Sequence, residues 1–191
     1  FDFSGSDNVA GVTVHWPAPE VFDQNGLRSV GYHDEVVLPL EIRPTDPNRP
    51  VRLNTQMDIG ICHDICVPVS MGLSAELTGP GALDAAIRTA LTERPRPVAE
   101  GARCTIEPIA DGMRVTARIM MPPSPDEVAL FELRSTPVWV SDSVARRVGG
   151  ELVANADFVP DTGAPFDLDP QDLRITVLSQ AGAVEFNGCP D

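Results

Sequence analysis

The chain contains no lysine. Its fourteen cationic side chains are all arginine, set against twenty-eight carboxylates, for a formal net charge of −14. An acidic surface of that size repels phosphate backbones, which excludes nucleic acid as a partner. No apolar run approaches the roughly 20 residues that a membrane-spanning helix needs. No signal peptide is visible at Phe1, so the chain reads as a mature or excised segment. Glycine-rich phosphate loops, His-Glu-x-x-His helices and serine elbows are absent, which removes the common nucleotide, zinc-protease and serine-hydrolase templates. No internal repeat or low-complexity stretch occurs.

What is present points to β structure. Hydrophobic residues make up 42% of the 191, enough to fill a core. Nineteen prolines and fifteen glycines separate several short alternating runs, as in folds rich in strands and turns. The most informative stretch surrounds Cys62-His63-Asp64-Ile65-Cys66. Upstream, Val51, Leu53, Thr55, Met57 and Ile59 alternate with polar residues; downstream, Val67, Val69, Met71, Leu73, Ala75 and Leu77 take every second position. Both runs have the period of half-buried strands. Pairing Cys62 with Cys66 sets Ile59 opposite Val69, Met57 opposite Met71 and Thr55 opposite Leu73, so the apolar faces coincide. Opposed residues lie about 4.5–5.5 Å apart at Cα, within the range of a disulfide. The spacing therefore predicts a two-cysteine pair at an accessible sheet end.

Elsewhere, Val12, Val14 and Trp16 read as a strand, Phe22 to Ser29 as a turn or loop around Asp23-Gln24-Asn25-Gly26, and Glu35 to Ile42 as an edge strand interrupted by Pro39. Leu83 to Leu91 has helical spacing, with Asp84 near the start and Arg94 near the end suiting the helix dipole. That helix and the proline-rich stretch up to Val98 form a linker, 81–98, between a first domain, 1–80, and a second, 99–191. The second domain has short strands at 113–121, 128–133, 138–140, 173–178 and 183–186, a pattern that suggests a sandwich. Trp16 and Trp139 are expected as core anchors, and His15 and His33 as ordinary strand or surface residues.

Four cysteines allow three pairings. With Cys62 and Cys66 as the local pair, Cys104 and Cys189 remain, either as a second bridge or as two unrelated buried thiols. A bridge closing so long a loop stabilises by about 4–5 kcal/mol in the chain-entropy model and fits an oxidising compartment such as the periplasm. A thiol exchanges only as thiolate: protonated His63 would favour one, Asp64 would oppose it, and Ile65 would desolvate Cys66. Three intervening residues and no βαβ pattern argue against a thioredoxin fold. Two other readings stay open: a copper- or zinc-binding module using Cys62, His63 and Cys66, and a scaffold in which the bond only staples the turn.

The segments Phe1-Asp2-Phe3-Ser4-Gly5, Trp16-Pro17-Ala18-Pro19, Tyr32 to Leu40 with Glu35-Val36-Val37-Leu38-Pro39-Leu40, and Cys62 to Pro68 resemble the N-terminal periplasmic region of DsbD/ScsB-type membrane thiol:disulfide reductases. The resemblance covers residues 1–77. It sets in partway through the family's first domain, leaving out its first strands and a sheet edge unpaired. It implies an all-β architecture of two tandem immunoglobulin-like sandwiches, the first of them redox-active. It further implies that Cys62 and Cys66 are the exchanging pair, that Cys66 forms mixed disulfides, and that Phe22 caps the site. Its partners would be a membrane thiol reductase domain, fused to it in the full-length protein, and periplasmic thioredoxin-fold proteins. No organic cofactor is implied.

Overall fold

The computed structural model describes residues 1–24, 26–63 and 65–190. It is mostly β, as the alternation predicts. In chain order the first stretch runs β1 (Val9–Val14), β2 (Glu20–Gln24), β3 (Leu27–Gly31), β4 (Leu40–Pro44), β5 (Val51–Cys62), β6 (Cys66–Leu77) and α1 (Ala85–Thr92). There follow β7 (Arg96–Val98), β8 (Ala102–Pro108), β9 (Met113–Met120), β10 (Val128–Leu133), β11 (Trp139–Val140), β12 (Val144–Val148), β13 (Glu151–Val159), β14 (Leu173–Ser179) and β15 (Gly182–Asn187). The chain forms two compact units, residues 1–17 with 22–94, and residues 18–21 with 95–191.

In the first unit β1 pairs antiparallel with β4, β2 with β3, and β5 with β6. The β5–β6 register matches the one read from the sequence, with twelve opposed pairs from Val51–Leu77 to Cys62–Cys66. Val51, Leu53 and Thr55 are buried on one face of β5. Residues 2–7 run along the other edge of β5 through backbone bridges from Asp2 to Gln56 and from Asp7 to Arg52. Asn8 fixes the entry to β1. It adopts a left-handed φ of 61°, a conformation asparagine tolerates better than most residues. Its Nδ2 donates to the carbonyls of Asp46 (2.9 Å) and Arg49 (3.0 Å), and its Oδ1 accepts the Asp46 N–H (2.7 Å).

The second unit has a sheet in the order β10-β14-β15-β7 and another in the order β11-β13-β9-β8, with β12 also on β13. Val115, Ala117, Ile119, Leu152, Ala154, Phe158, Ile175 and Val177 belong to its buried core. Phe131 and Phe158 meet edge to face there, 6.4 Å between centroids. Cys104 on β8 and Cys189 beyond β15 are bonded and buried within it.

Several expectations need correction. Residues around 22–29 are not merely a loop: strands β2 and β3 flank a turn in which Asp23 Oδ1 accepts the Gly26 N–H (2.9 Å) and Gly26 takes a φ of 81°; Asn25 lies outside the described residues. The strand expected from Glu35 starts only at Leu40. Asp34 has a left-handed φ of 59°, Glu35 N–H bonds back to the His33 carbonyl, and Pro39 has no N–H for a ladder. The helix is capped by Asp84, which accepts the Ala86 and Ile87 N–H groups, but it ends at Thr92, so Arg94 lies beyond its last turn. Arg96–Val98, read as linker, is a strand pairing in parallel with β15. Trp16 and Trp139 are 43% and 63% exposed, not core anchors; Trp16 packs beside Phe1 (5.9 Å) instead. β12 and β13 went unread.

Candidate functional site

The far end of the β5–β6 ribbon carries the cysteine pair. Odd-numbered residues of both strands make up the apolar face, so Cys62 and Cys66 fall on the other, with Asp58, Gly60, Pro68 and Ser70. They are directly opposed, 4.0 Å apart at Cα, and joined as a disulfide. The turn is held by the His63 N–H donating to the Ile65 carbonyl (3.2 Å). Asp64, whose charge would oppose a thiolate, lies outside the described residues.

Both cysteines are exposed. The neighbouring pair on their face is Gly60 opposite Pro68, and a Cβ placed on Gly60 would meet nothing within 4 Å. Beside Cys62 the face therefore carries no side chain at Gly60, while the Pro68 ring lies next to Cys66. Further back, the Ser70 hydroxyl donates to the Asp58 carboxylate. Around the tip, Ile61, Ile65 and Val67 expose 54%, 75% and 48% of their surface. Exposed aliphatic side chains at the ribbon tip, Ile61 and Val67 on the face opposite the sulfurs and Ile65 in the turn, suit contact with another protein, because such groups lose water favourably on contact.

Phe22, expected as a cap, is half-buried. Its ring lies 4.3 Å from that of His33 and packs beside Gly31. His15, 15% exposed in its side chain, pairs with Glu41 through Nε2 (2.9 Å).

As a disulfide, Cys62 and Cys66 offer no thiolate to a metal, and no cluster of metal-ligating side chains occurs among the described residues. A groove of about 310 Å³ lies on the same ribbon face, lined by Asp2, Asn54, Gln56 and Ser74 among others. Gln56 is six residues from Cys62, roughly 20 Å along a strand, so the groove is separate from the sulfurs.

An exposed cross-strand disulfide at the end of a β-ribbon is the arrangement to be set beside known proteins. Residues 1–77 match the family of the thiol:disulfide interchange protein DsbD, N-terminal. The matched segment includes the whole β5–β6 ribbon and both of its cysteines. Among solved structures, the chain is similar to the N-terminal periplasmic domain of ScsB from Proteus mirabilis. Identity is 19% and the TM-score 0.66, with 100% of this chain and 76% of that chain covered. That likeness extends the fold across the second unit, which the DsbD match does not reach. No curated protein matches in sequence. The family match agrees with the DsbD/ScsB-type resemblance over residues 1–77, and the ScsB likeness shows a shared fold. No helix among the described residues is long and apolar enough to cross a membrane.

The sequence reading found the cysteines and their register. It passed over the Gly60–Pro68 pair beside the bond and the exposed aliphatic side chains at the tip. The signal for the first was available, since pairing Cys62 with Cys66 necessarily pairs Gly60 with Pro68.

Proposed function

We propose that the chain is a periplasmic thiol:disulfide interchange module. It takes electrons from a membrane reductase domain and passes them to thioredoxin-fold clients through Cys62 and Cys66. The observation that carries this reading is the exposed Cys62–Cys66 bond in a segment matching the DsbD N-terminal family. In the reducing half-cycle an incoming thiolate attacks Cys66 Sγ, a mixed disulfide forms, and Cys62 leaves as a thiolate that takes up a proton. The donor's second thiol then attacks its own sulfur in the mixed disulfide and frees Cys66. Two electrons have moved, and the donor leaves oxidised. Delivery to a client runs the same steps backwards, with Cys66 attacking the client disulfide and Cys62 resolving the intermediate. Cys104 and Cys189, buried in the second unit, serve as a structural bridge. Phe22, packed beside His33 and Gly31, is proposed as the cap of the site.

The test is trapping. Cys62→Ser leaves Cys66 without its resolving partner, so a mixed disulfide with an oxidised thioredoxin-fold protein should accumulate and be reversed by dithiothreitol. Cys66→Ser should trap far less. No adduct from Cys62→Ser, or equal adducts from both variants, would overturn the assignment of Cys66.

A further inference from the structure

Gly60 stands in β5 on the same face as the sulfurs, about 7 Å along the strand from Cys62. Glycine weakens a strand interior, because it has the most backbone freedom to lose and no side chain to pack. Three features of a fold ordinarily call for it there: a left-handed φ, a bulge, or a neighbour that leaves no room for a Cβ. Gly60 has none of them. Its φ lies outside the left-handed region. The β5–β6 register runs through it unbroken, from Ile59–Val69 to Cys62–Cys66. A Cβ there would meet no atom within 4 Å among the described residues, the sulfurs included.

The other strand glycines differ. A Cβ on Gly11 would come to 3.0 Å from the Arg43 guanidinium, and one on Gly72 to 3.1 Å from Gln56 Nε2. One on Gly31 would touch the Phe22 ring at 3.8 Å, and Gly182 has a φ of 107°. Gly60 is thus the strand glycine, among the described residues, whose missing side chain serves nothing inside the chain. The reason that remains is close approach by another molecule's backbone. Its place agrees. Two Cα atoms joined through a disulfide lie about 4.4–6.8 Å apart, so a partner bonded to Cys66 brings its main chain to the ribbon tip. On the sulfur face just behind the bond, the Pro68 ring fills one position and Gly60 leaves the other bare.

We infer that Gly60 is a specificity-determining residue for exchange: the main chain of the thioredoxin-fold partner, at its reactive cysteine, lies over the bare Cα of Gly60 beside the Pro68 ring. This deepens the interchange reading and rests on it. Contact with bare backbone reads no side-chain identity. Clients are therefore admitted by how closely the chain around their cysteine can approach, and not by its sequence.

The experiment reduces the whole chain with reduced thioredoxin and, separately, with dithiothreitol. In both reactions Cys62–Cys66 gains two electrons and two protons, and the reductant's two thiols become a disulfide. Gly60→Val suits the strand, since β-branched residues favour it and the Cβ has room. It should slow reduction by thioredoxin at least about tenfold, as a misplacement of about 1 Å does, and leave the dithiothreitol rate within about twofold. Gly60→Ala should fall between Gly60→Val and the unaltered chain. Ser74→Val adds bulk to the same face at the far end of the ribbon and should change neither rate. Equal slowing of both reactions by Gly60→Val, or slowing of neither, overturns the proposal. So does slowing by Ser74→Val as great as by Gly60→Val. The urea midpoint of the first unit, followed through Trp16, should be unchanged or raised by Gly60→Val; a lowered midpoint means that the fold itself needs the glycine, and also overturns it. If thioredoxin fails to reduce the unaltered chain while dithiothreitol opens Cys62–Cys66, it is the interchange reading that falls.

Discussion

Replacing Cys104 and Cys189 together by alanine should destabilise the second unit far more than the same change at Cys62 and Cys66 destabilises the first. The two bridges span 85 and 4 residues of sequence. In the chain-entropy model the long loop contributes about 4.6 kcal/mol and the short one about 2 kcal/mol, by restricting the unfolded chain. Burial widens the gap. Cys104 and Cys189 are 3% and 0% exposed, so alanine there also forfeits packing, whereas Cys62 and Cys66 are exposed. The two tryptophans make the measurement selective, since Trp16 lies in the first unit and Trp139 in the second. Urea unfolding would be followed by Trp139 fluorescence in a Trp16→Phe background, and by Trp16 fluorescence in a Trp139→Phe background. With a slope of about 1–2 kcal/mol per molar, the Trp139 transition should move down by roughly 2–4 M in Cys104→Ala/Cys189→Ala. The Trp16 transition should move by about half as much or less in Cys62→Ala/Cys66→Ala. A smaller shift for the long bridge than for the short one would refute the reasoning.

Two other outcomes follow from polar contacts. Arg147 Nε donates to Glu127 Oε2 (2.8 Å), and its other nitrogens reach the carbonyls of Met121 (2.9 Å) and Gly150 (2.8 Å); the Glu127 side chain is 8% exposed. Arg147→Met strands that carboxylate and should cost the second unit about 3 kcal/mol at pH 7. The hydrogen bond from Arg147 holds the Glu127 carboxyl below its usual value. Its contribution is therefore complete above the ordinary glutamate range and lost as pH falls through the lowered value. The difference between the two proteins should shrink as urea titrations move below about pH 4.5, and a constant difference would count against the pair. Asn8→Ala removes the side-chain bonds to Asp46 and Arg49 and puts alanine at a left-handed φ. It should lower first-unit stability by about 2–4 kcal/mol, measured through Trp16, with Asn8→Gly recovering only the part due to backbone strain.

The ribbon was legible because its residues obey one period without interruption. Val51, Leu53 and Thr55 are buried while Arg52, Asn54 and Gln56 are exposed, and two cysteines at equal distance from the turn leave a single register that aligns both faces. The helix was legible from its cap, since Asp84 is the residue whose carboxylate takes the free amide groups of the first turn. β13 was not legible. Its Ala154, Asn155, Ala156 and Asp157 are weak strand formers, and three flanking strands supply the pairing that propensity lacks. The tryptophans misled for the opposite reason: apolar character predicts average burial, and Trp139 sits on a short edge strand with its side chain outward. Arg96–Val98 looked like a linker because it contains proline. A three-residue strand at the end of its sheet, paired on one side by β15, can accommodate proline where an interior strand cannot.

The contrast between the two bridges is itself an argument about function. A carrier must be nearly as well folded reduced as oxidised, or each exchange would be coupled to unfolding and the potential would be set by the fold. The β5–β6 ribbon meets that condition. Twelve opposed residue pairs hold it together without the sulfur bond, residues 2–7 brace the outer edge of β5, and the loop that the bond closes is short. Opening Cys62–Cys66 therefore releases little chain entropy and exposes no core. Cys104–Cys189 has the reverse character: it is buried, it joins β8 to the segment just beyond β15 across a long loop, and a reductant reaches it only after the second unit opens. One reductant strength can thus cycle the first bond while leaving the second intact. This predicts that graded dithiothreitol releases two thiols per chain in a first step with the Trp139 signal unchanged, and the remaining two only together with loss of that signal. Simultaneous release of all four would remove the physical basis for placing exchange at Cys62 and Cys66.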